Sequence, residues 1–202
     1  MKETRINVFS GLPFFIFIFL FGCAAGPPPI AIGPTPAPTE VIRYAPAEIP
    51  AKERPGHCWT DSIAASRKGA WRCMTGNEIY DPCFELGAAV VCDANPADGK
   101  QGFRLVLEKP LPPPGSAIAE PEAGWLIQLV DGRICNRATG ARGMVAGGMT
   151  TYYCTTENPD ESAVVLGELK TGTIWTAEIA VVERIGGKIR EQKTVPVLRV
   201  WQ

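Results

Sequence analysis

Histidine is nearly missing from this chain of 202 residues, which contains only His57. Hydrolases of the Ser-His-Asp or Cys-His kind need an imidazole to shuttle a proton. The G-x-S-x-G turn of many such enzymes is missing as well. His57 lies beside a cysteine at the edge of a proline-rich stretch, and reads as a surface residue. There is no C-x2-C pair either, so a zinc cluster has no support and no metal site is expected. Basic charge is not in excess: from Gly56 onward, 15 Lys and Arg stand against 17 Asp and Glu. That balance excludes the electrostatic footprint of a nucleic-acid binder. Repeats of 20 to 50 residues and heptads are absent too. The longest apolar run, Val8 to Phe21, falls short of the roughly 20 residues a membrane-spanning helix takes.

What is present begins with that run. Lys2 and Arg5 precede it, and small residues follow it, the order of a secretory signal. It ends Leu20-Phe21-Gly22-Cys23, followed by Ala24-Ala25-Gly26. These residues resemble the lipobox of bacterial lipoproteins. Leu20, Gly22 and Cys23 match it, and Phe21 stands where a smaller residue is usual. The resemblance covers residues 1–23 and implies a signal peptide over 1–22, removed so that Cys23 becomes an acylated N-terminus. Two or more acyl chains would then hold the protein stably to the cell membrane or outer membrane.

Setting Cys23 aside leaves six cysteines: Cys58, Cys73, Cys83, Cys92, Cys135 and Cys154. An even number in an exported segment predicts three disulfides in an oxidising compartment. Proximity along the chain favours Cys58–Cys73, Cys83–Cys92 and Cys135–Cys154. Each bridge would close a loop of roughly 10 to 20 residues, contributing about 3 kcal/mol through the unfolded state.

Residues 23–55 read as the lipidated cysteine and a proline-rich tether. Nine of the nineteen prolines fall in it, and proline removes a backbone donor. Fully stretched, it would reach up to about 100 Å. Residues 56–202 read as one mostly-β domain, a sandwich or open barrel of about seven or eight short strands. Its N-terminal part, from Cys58 to Cys92, lacks clean alternation and reads as loop-rich. Phe103, Leu105 and Leu107 alternate with polar neighbours as in a strand. Asp131-Gly132 between apolar runs predicts a hairpin with a two-residue turn. Three strands follow, at roughly 163–169, 173–184 and 188–201, and Pro196 predicts an edge or a bulge in the last.

Chemistry is harder to find. Glu78, Asp81 and Glu85 cluster closely enough to be candidates for a carboxylate pair in glycan hydrolysis. Their other reading is turn chemistry and solvated charge. Asp93, Asn95 and Asp98 resemble a fragment of a calcium loop, but Pro96 and the spacing break the pattern. Trp59 and Trp71, flanking cysteines, are the candidates for a contact surface; Trp125 and Trp175 read as core. The loop Gly140 to Gly148, with Arg137 and Arg142, offers cations and amides to an anion, though no helix follows it.

From Gly56 onward the chain is also similar to exported bacterial lipoprotein domains without an assigned activity. The likeness rests on Cys58-Trp59-Thr60, Ala70 to Cys73, Asn77 to Phe84, and Trp175-Thr176. It implies one exported domain and no reaction. The sequence thus predicts a membrane-tethered extracytoplasmic lipoprotein that uses no cofactor and binds an envelope protein or a cell-wall glycan. A carboxylate-dependent glycan hydrolase and a purely structural envelope component are the alternatives.

Overall fold

The computed structural model describes residues 37–113, 115 and 123–202. The signal segment, Cys23, the tether through Pro36 and the centre of the 109–124 loop lie outside the described residues. The described chain is all-β: β1 (Glu40–Ile42), β2 (Glu53–Asp61), β3 (Ala70–Thr75), β4 (Glu78–Leu86), β5 (Ala89–Cys92), β6 (Phe103–Leu107), β7 (Leu126–Leu129), β8 (Ile134–Arg137), β9 (Met144–Val145), β10 (Gly148–Cys154), β11 (Glu161–Lys170), β12 (Thr176–Glu183) and β13 (Ile189–Trp201). Thirteen strands replace the expected seven or eight.

They form two rings. Strands β2 to β6 make a closed barrel, antiparallel throughout except where β6 meets β2 in parallel. An up-and-down meander with an odd number of strands can close only this way, because its first and last strands run in the same direction. Strands β7, β8, β10, β11, β12 and β13 form the second ring, and here an even number closes antiparallel through β7 and β13. Closure removes the sheet edges that an open barrel would expose. The loop-rich N-terminal part expected from the sequence is therefore a barrel.

Its interior explains why the sequence hid it. Among the described residues the first barrel's core is Cys58, Trp71, Cys73, Cys83, Val90, Cys92, Phe103 and Leu105. Half of that set is cysteine, so the aliphatic alternation that marks a strand is thin. The second barrel's core is aliphatic, with Ile127, Leu129, Val165, Ile179, Val181, Val195, Val197 and Val200 around Tyr152. Each such side chain contributes about 1.5–3 kcal/mol on burial. The first barrel has fewer of them and leans on its bridges.

The structure bonds Cys58 to Cys73, Cys83 to Cys92, and Cys135 to Cys154. In every case the two cysteines are directly opposed in an antiparallel register. Three bridges of this kind belong to an oxidising, extracytoplasmic environment. Among the described residues no helix is long and apolar enough to cross a membrane.

Two local expectations need correction. The tether does not run free to Pro55. Thr39 and β1 are built into the second barrel, where β1 pairs in parallel with residues 199–201 of β13. The Thr39 hydroxyl donates to the Val197 carbonyl and accepts from the Trp175 amide, each at 2.7 Å. It thereby fills the gap that opens where β13 leaves β12. Pro196 sits at that exchange: β13 pairs with β12 up to Pro196 and with β7 from Val197 onward. The missing proline donor falls where the ladder changes partners. The Asp131-Gly132 hairpin, for its part, has a three-residue loop. Leu129 N donates to Arg133 O, and Gly132 N donates to Leu129 O. Only Gly132 takes positive φ, 89°, as a type I turn with a bulge requires.

The barrels share a seam. Ala64, Ala65, Ala70 and Phe84 of the first pack with Trp125, Leu126 and Trp201 of the second. Tyr44 stacks edge-on against both Phe84 and Trp125, at 5.3 and 5.6 Å. Arg67 lies 4.7 Å over the Phe84 ring and donates to the carbonyls of Tyr44 and Gln202. At Gly124, a Cβ would stand 2.4 Å from the Trp201 carbonyl, so only glycine fits at the start of the second ring. The phenol of buried Tyr152 donates to the Gly124 carbonyl at 2.6 Å.

Candidate functional site

Arg72 lies in β3 between two irregularities. On one side, Cys58 pairs with Cys73 and Thr60 with Arg72, so Trp59 is an extra residue in β2. On the other, Trp71 pairs with Cys83 and Cys73 with Tyr80, which leaves Asp81 and Pro82 opposite the single Arg72, one residue too many in β4. Bulges re-aim side chains, and they recur beside functional sites. Here the first sends Trp59 outward, 40 % exposed, while Cys58 stays inside. The second turns Asp81 against Arg72.

The Asp81 side chain is 1 % exposed and its oxygens are fully engaged. It accepts from Arg72 Nη1 at 3.1 Å, from the Ser62 hydroxyl, and from the amides of Ile63 and Ala64 at 3.2 and 3.3 Å. Burial pushes its carboxyl up, and Ser62, the two amides and Arg72 oppose that rise. Arg72 Nη1 also donates to the Thr139 carbonyl of the second barrel at 2.8 Å. Its guanidinium stands 5.7 Å from the centre of the Trp59 ring. His57 meets the same ring edge-on at 6.5 Å, and Ile63 nearby is 46 % exposed. The result is an exposed indole backed by a cation that is itself held by Asp81 and by the Thr139 carbonyl.

The catalytic candidates do not converge. Asp81 is sealed. Glu78 is exposed and held by Tyr80 and Arg54, with Oε2 accepting from the Tyr80 hydroxyl at 2.6 Å and from Arg54 Nη2 at 2.7 Å. Those contacts hold its carboxyl below the usual range, the opposite of what a glycosidase acid requires. Burial raises the Tyr80 phenol. Glu85 accepts from the Trp71 indole at 2.7 Å. Three carboxylates thus have three separate partner sets.

Trp71 itself is 4 % exposed inside the first barrel, which removes it from the contact surface. Trp71 stands two residues before Cys73 in β3, which carries no extra residue of its own, so both side chains face the same core. Arg137 donates to the Ala123 carbonyl at 3.1 Å. Arg142 is exposed in irregular backbone just before Met144, from where the glycine-rich segment turns back on itself. It folds as a β9–β10 hairpin, turning at Ala146-Gly147, and Val145 packs on Val164, Leu166 and Ala180 outside the second barrel. Alanine at a positive-φ position, 52°, hid this turn from sequence reading. The calcium-like fragment is a closed turn: Lys100 Nζ contacts Asp93 at 2.7 Å, and Asn95 donates to Asp98 at 3.0 Å. The Cys73, Cys83 and Cys92 sulfurs lie within 4.8 Å of one another, in metal-ligand proximity, but all three are in disulfides.

No protein-family model, curated protein or solved structure matches the chain.

Proposed function

We propose that this is a lipid-anchored extracytoplasmic binding module, held to the membrane through acylated Cys23, that engages an envelope protein or cell-wall glycan at Trp59. One observation carries the reading: Trp59 is an exposed bulge residue whose ring stands 5.7 Å from the Arg72 guanidinium, which Asp81 and Thr139 hold in place. A large aromatic ring fixed before contact loses little entropy on binding, which is how anchor residues gain affinity. Sugar rings and protein side chains both stack on such a face. The carboxylate arrangement gives the hydrolase alternative no support, since Asp81 is closed to solvent and Glu78 is held ionised.

The test is retention of the purified soluble domain. Co-sedimentation with isolated cell wall measures the glycan arm, and pull-down from envelope extract the protein arm. Trp59→Ala is expected to lower retention about tenfold or more, on the scale of a lost anchor residue. Trp71→Phe and Glu78→Gln leave it unchanged. Retention that survives Trp59→Ala in both arms rejects the surface. Glycan release lost on Glu78→Gln would instead establish hydrolysis. The anchor is tested separately, by mass spectrometry of the mature N-terminus and by release of Cys23→Ser from the membrane fraction.

A further inference from the structure

We infer that the two bridges of the first barrel form a thiol–disulfide relay, in which Cys73, once freed from Cys58, exchanges into the Cys83–Cys92 bridge. The sulfurs of Cys73, Cys83 and Cys92 all lie within 4.8 Å of one another. Two separate disulfides are therefore in side-by-side contact in one core, with Cys73 facing the neighbouring bridge. The third bridge, Cys135–Cys154, belongs to the other barrel's core.

Burial sets the direction. Cys58 keeps 5 % exposure, whereas Cys73, Cys83 and Cys92 have none. A small external thiol therefore attacks the Cys58 sulfur, forming a mixed disulfide there and releasing Cys73 as thiolate. The leaving thiolate is the nucleophile for the next step. It attacks one sulfur of Cys83–Cys92, forms a new bond to that sulfur, and expels the other as thiolate. A second external thiol resolves the mixed disulfide at Cys58, giving the oxidised external disulfide and the Cys58 thiol. Two electrons have entered, and the pair of protein thiols now comprises Cys58 and either Cys83 or Cys92. The buried bridge is thus reached through the outer one, by a reductant that never touches it. The chemical partner is a dithiol reductant or a disulfide isomerase of the exported compartment.

The native protein is titrated with limiting dithiothreitol, quenched with acid, alkylated, and mapped by peptide mass spectrometry. The expected product at partial reduction carries alkyl groups on Cys58 and on Cys83 or Cys92, with a bridge from Cys73 to the remaining one. Alkylation confined to Cys58 and Cys73, or to Cys83 and Cys92, overturns the relay. So does loss of both bridges with no crossed species at any time, or scrambling that includes Cys135 or Cys154. A second variant isolates the exchange step. In Cys58→Ser the expected result is loss of alkylation at Cys73 and its gain at Cys83 or Cys92, while Cys73 alkylated beside an intact Cys83–Cys92 bridge overturns it. If that variant does not fold, the wild-type titration decides.

Discussion

Asp81 and Arg72 show how one pair of side chains can serve both a fold and a surface. Burial raises the Asp81 carboxyl above its usual value, and Arg72 counters part of that rise. Removing the guanidinium in Arg72→Met leaves a buried carboxylate without its cation, which costs about 3–5 kcal/mol. It also raises the folded-state pKa of Asp81 further, so the folded state takes up a proton as pH falls. The penalty must therefore shrink on acidification. Urea unfolding of Arg72→Met against wild type at pH 7 and pH 5 is expected to give the smaller difference at pH 5. A difference independent of pH would mean that Asp81 stays charged without its partner. At this scale the sequence conveyed little. Trp59 was legible as an aromatic residue beside a cysteine, but its outward aim depends on a bulge, and a bulge is set by pairing with β3. Trp71 looked identical in sequence and is buried because it shares the inward face of β3 with Cys73. Asp81 read as turn chemistry because its four donors come from β3 and from residues 62–64, elements remote from it in sequence.

At the scale of the element, β1 is the part that composition concealed. Proline density around residues 24–55 argued for a free tether, yet Glu40-Val41-Ile42 supplies three residues of extended chain to β13. The anchor is Thr39, whose hydroxyl both donates and accepts across the gap between β12 and β13. Thr39→Val keeps the shape and loses both bonds, an expected cost of about 1–3 kcal/mol with the Trp175 amide left unpaired. Thermal unfolding followed by tryptophan fluorescence measures it, and no change in Tm would show that water replaces the hydroxyl freely. The strands β11 to β13 were readable because their residues alternate against a single aliphatic core and their turns carry glycine. The Asp-Gly hairpin was right in place and wrong in loop length, since a dipeptide does not specify which flanking residues close the ladder.

The whole molecule is uneven in what holds it. The first barrel has two bridges in a core that is half cysteine, and the second has one bridge within a large aliphatic set. Each bridge contributes about 3 kcal/mol, against a total stability of about 5–15 kcal/mol for an ordinary domain. Full reduction is therefore expected to melt β2 to β6 first, with β7 to β13 retaining structure. Hydrogen exchange after reduction and alkylation reports this directly, with amides of Val90 and Val91 losing protection before those of Val165 and Ile179. Simultaneous loss would mean that the seam at Phe84, Trp125 and Trp201 couples the rings more tightly than their separate cores suggest. Mostly-β architecture and disulfide usage were both visible in the sequence. The division into two rings was not, because closure depends on β2 meeting β6 and β7 meeting β13, pairings between residues far apart in the chain.

The lodging of β1 against β13 has a mechanical corollary. If Cys23 is acylated, the tether ends at Thr39 and not at Pro55, and so is shorter than proline density alone implied. Any pull from the bilayer then enters through a strand seated beside residues 199–201. Those same residues close the ring against β7 and carry Val200 of its core and Trp201 of the seam, so a load on the tether falls directly on the closure of the second barrel.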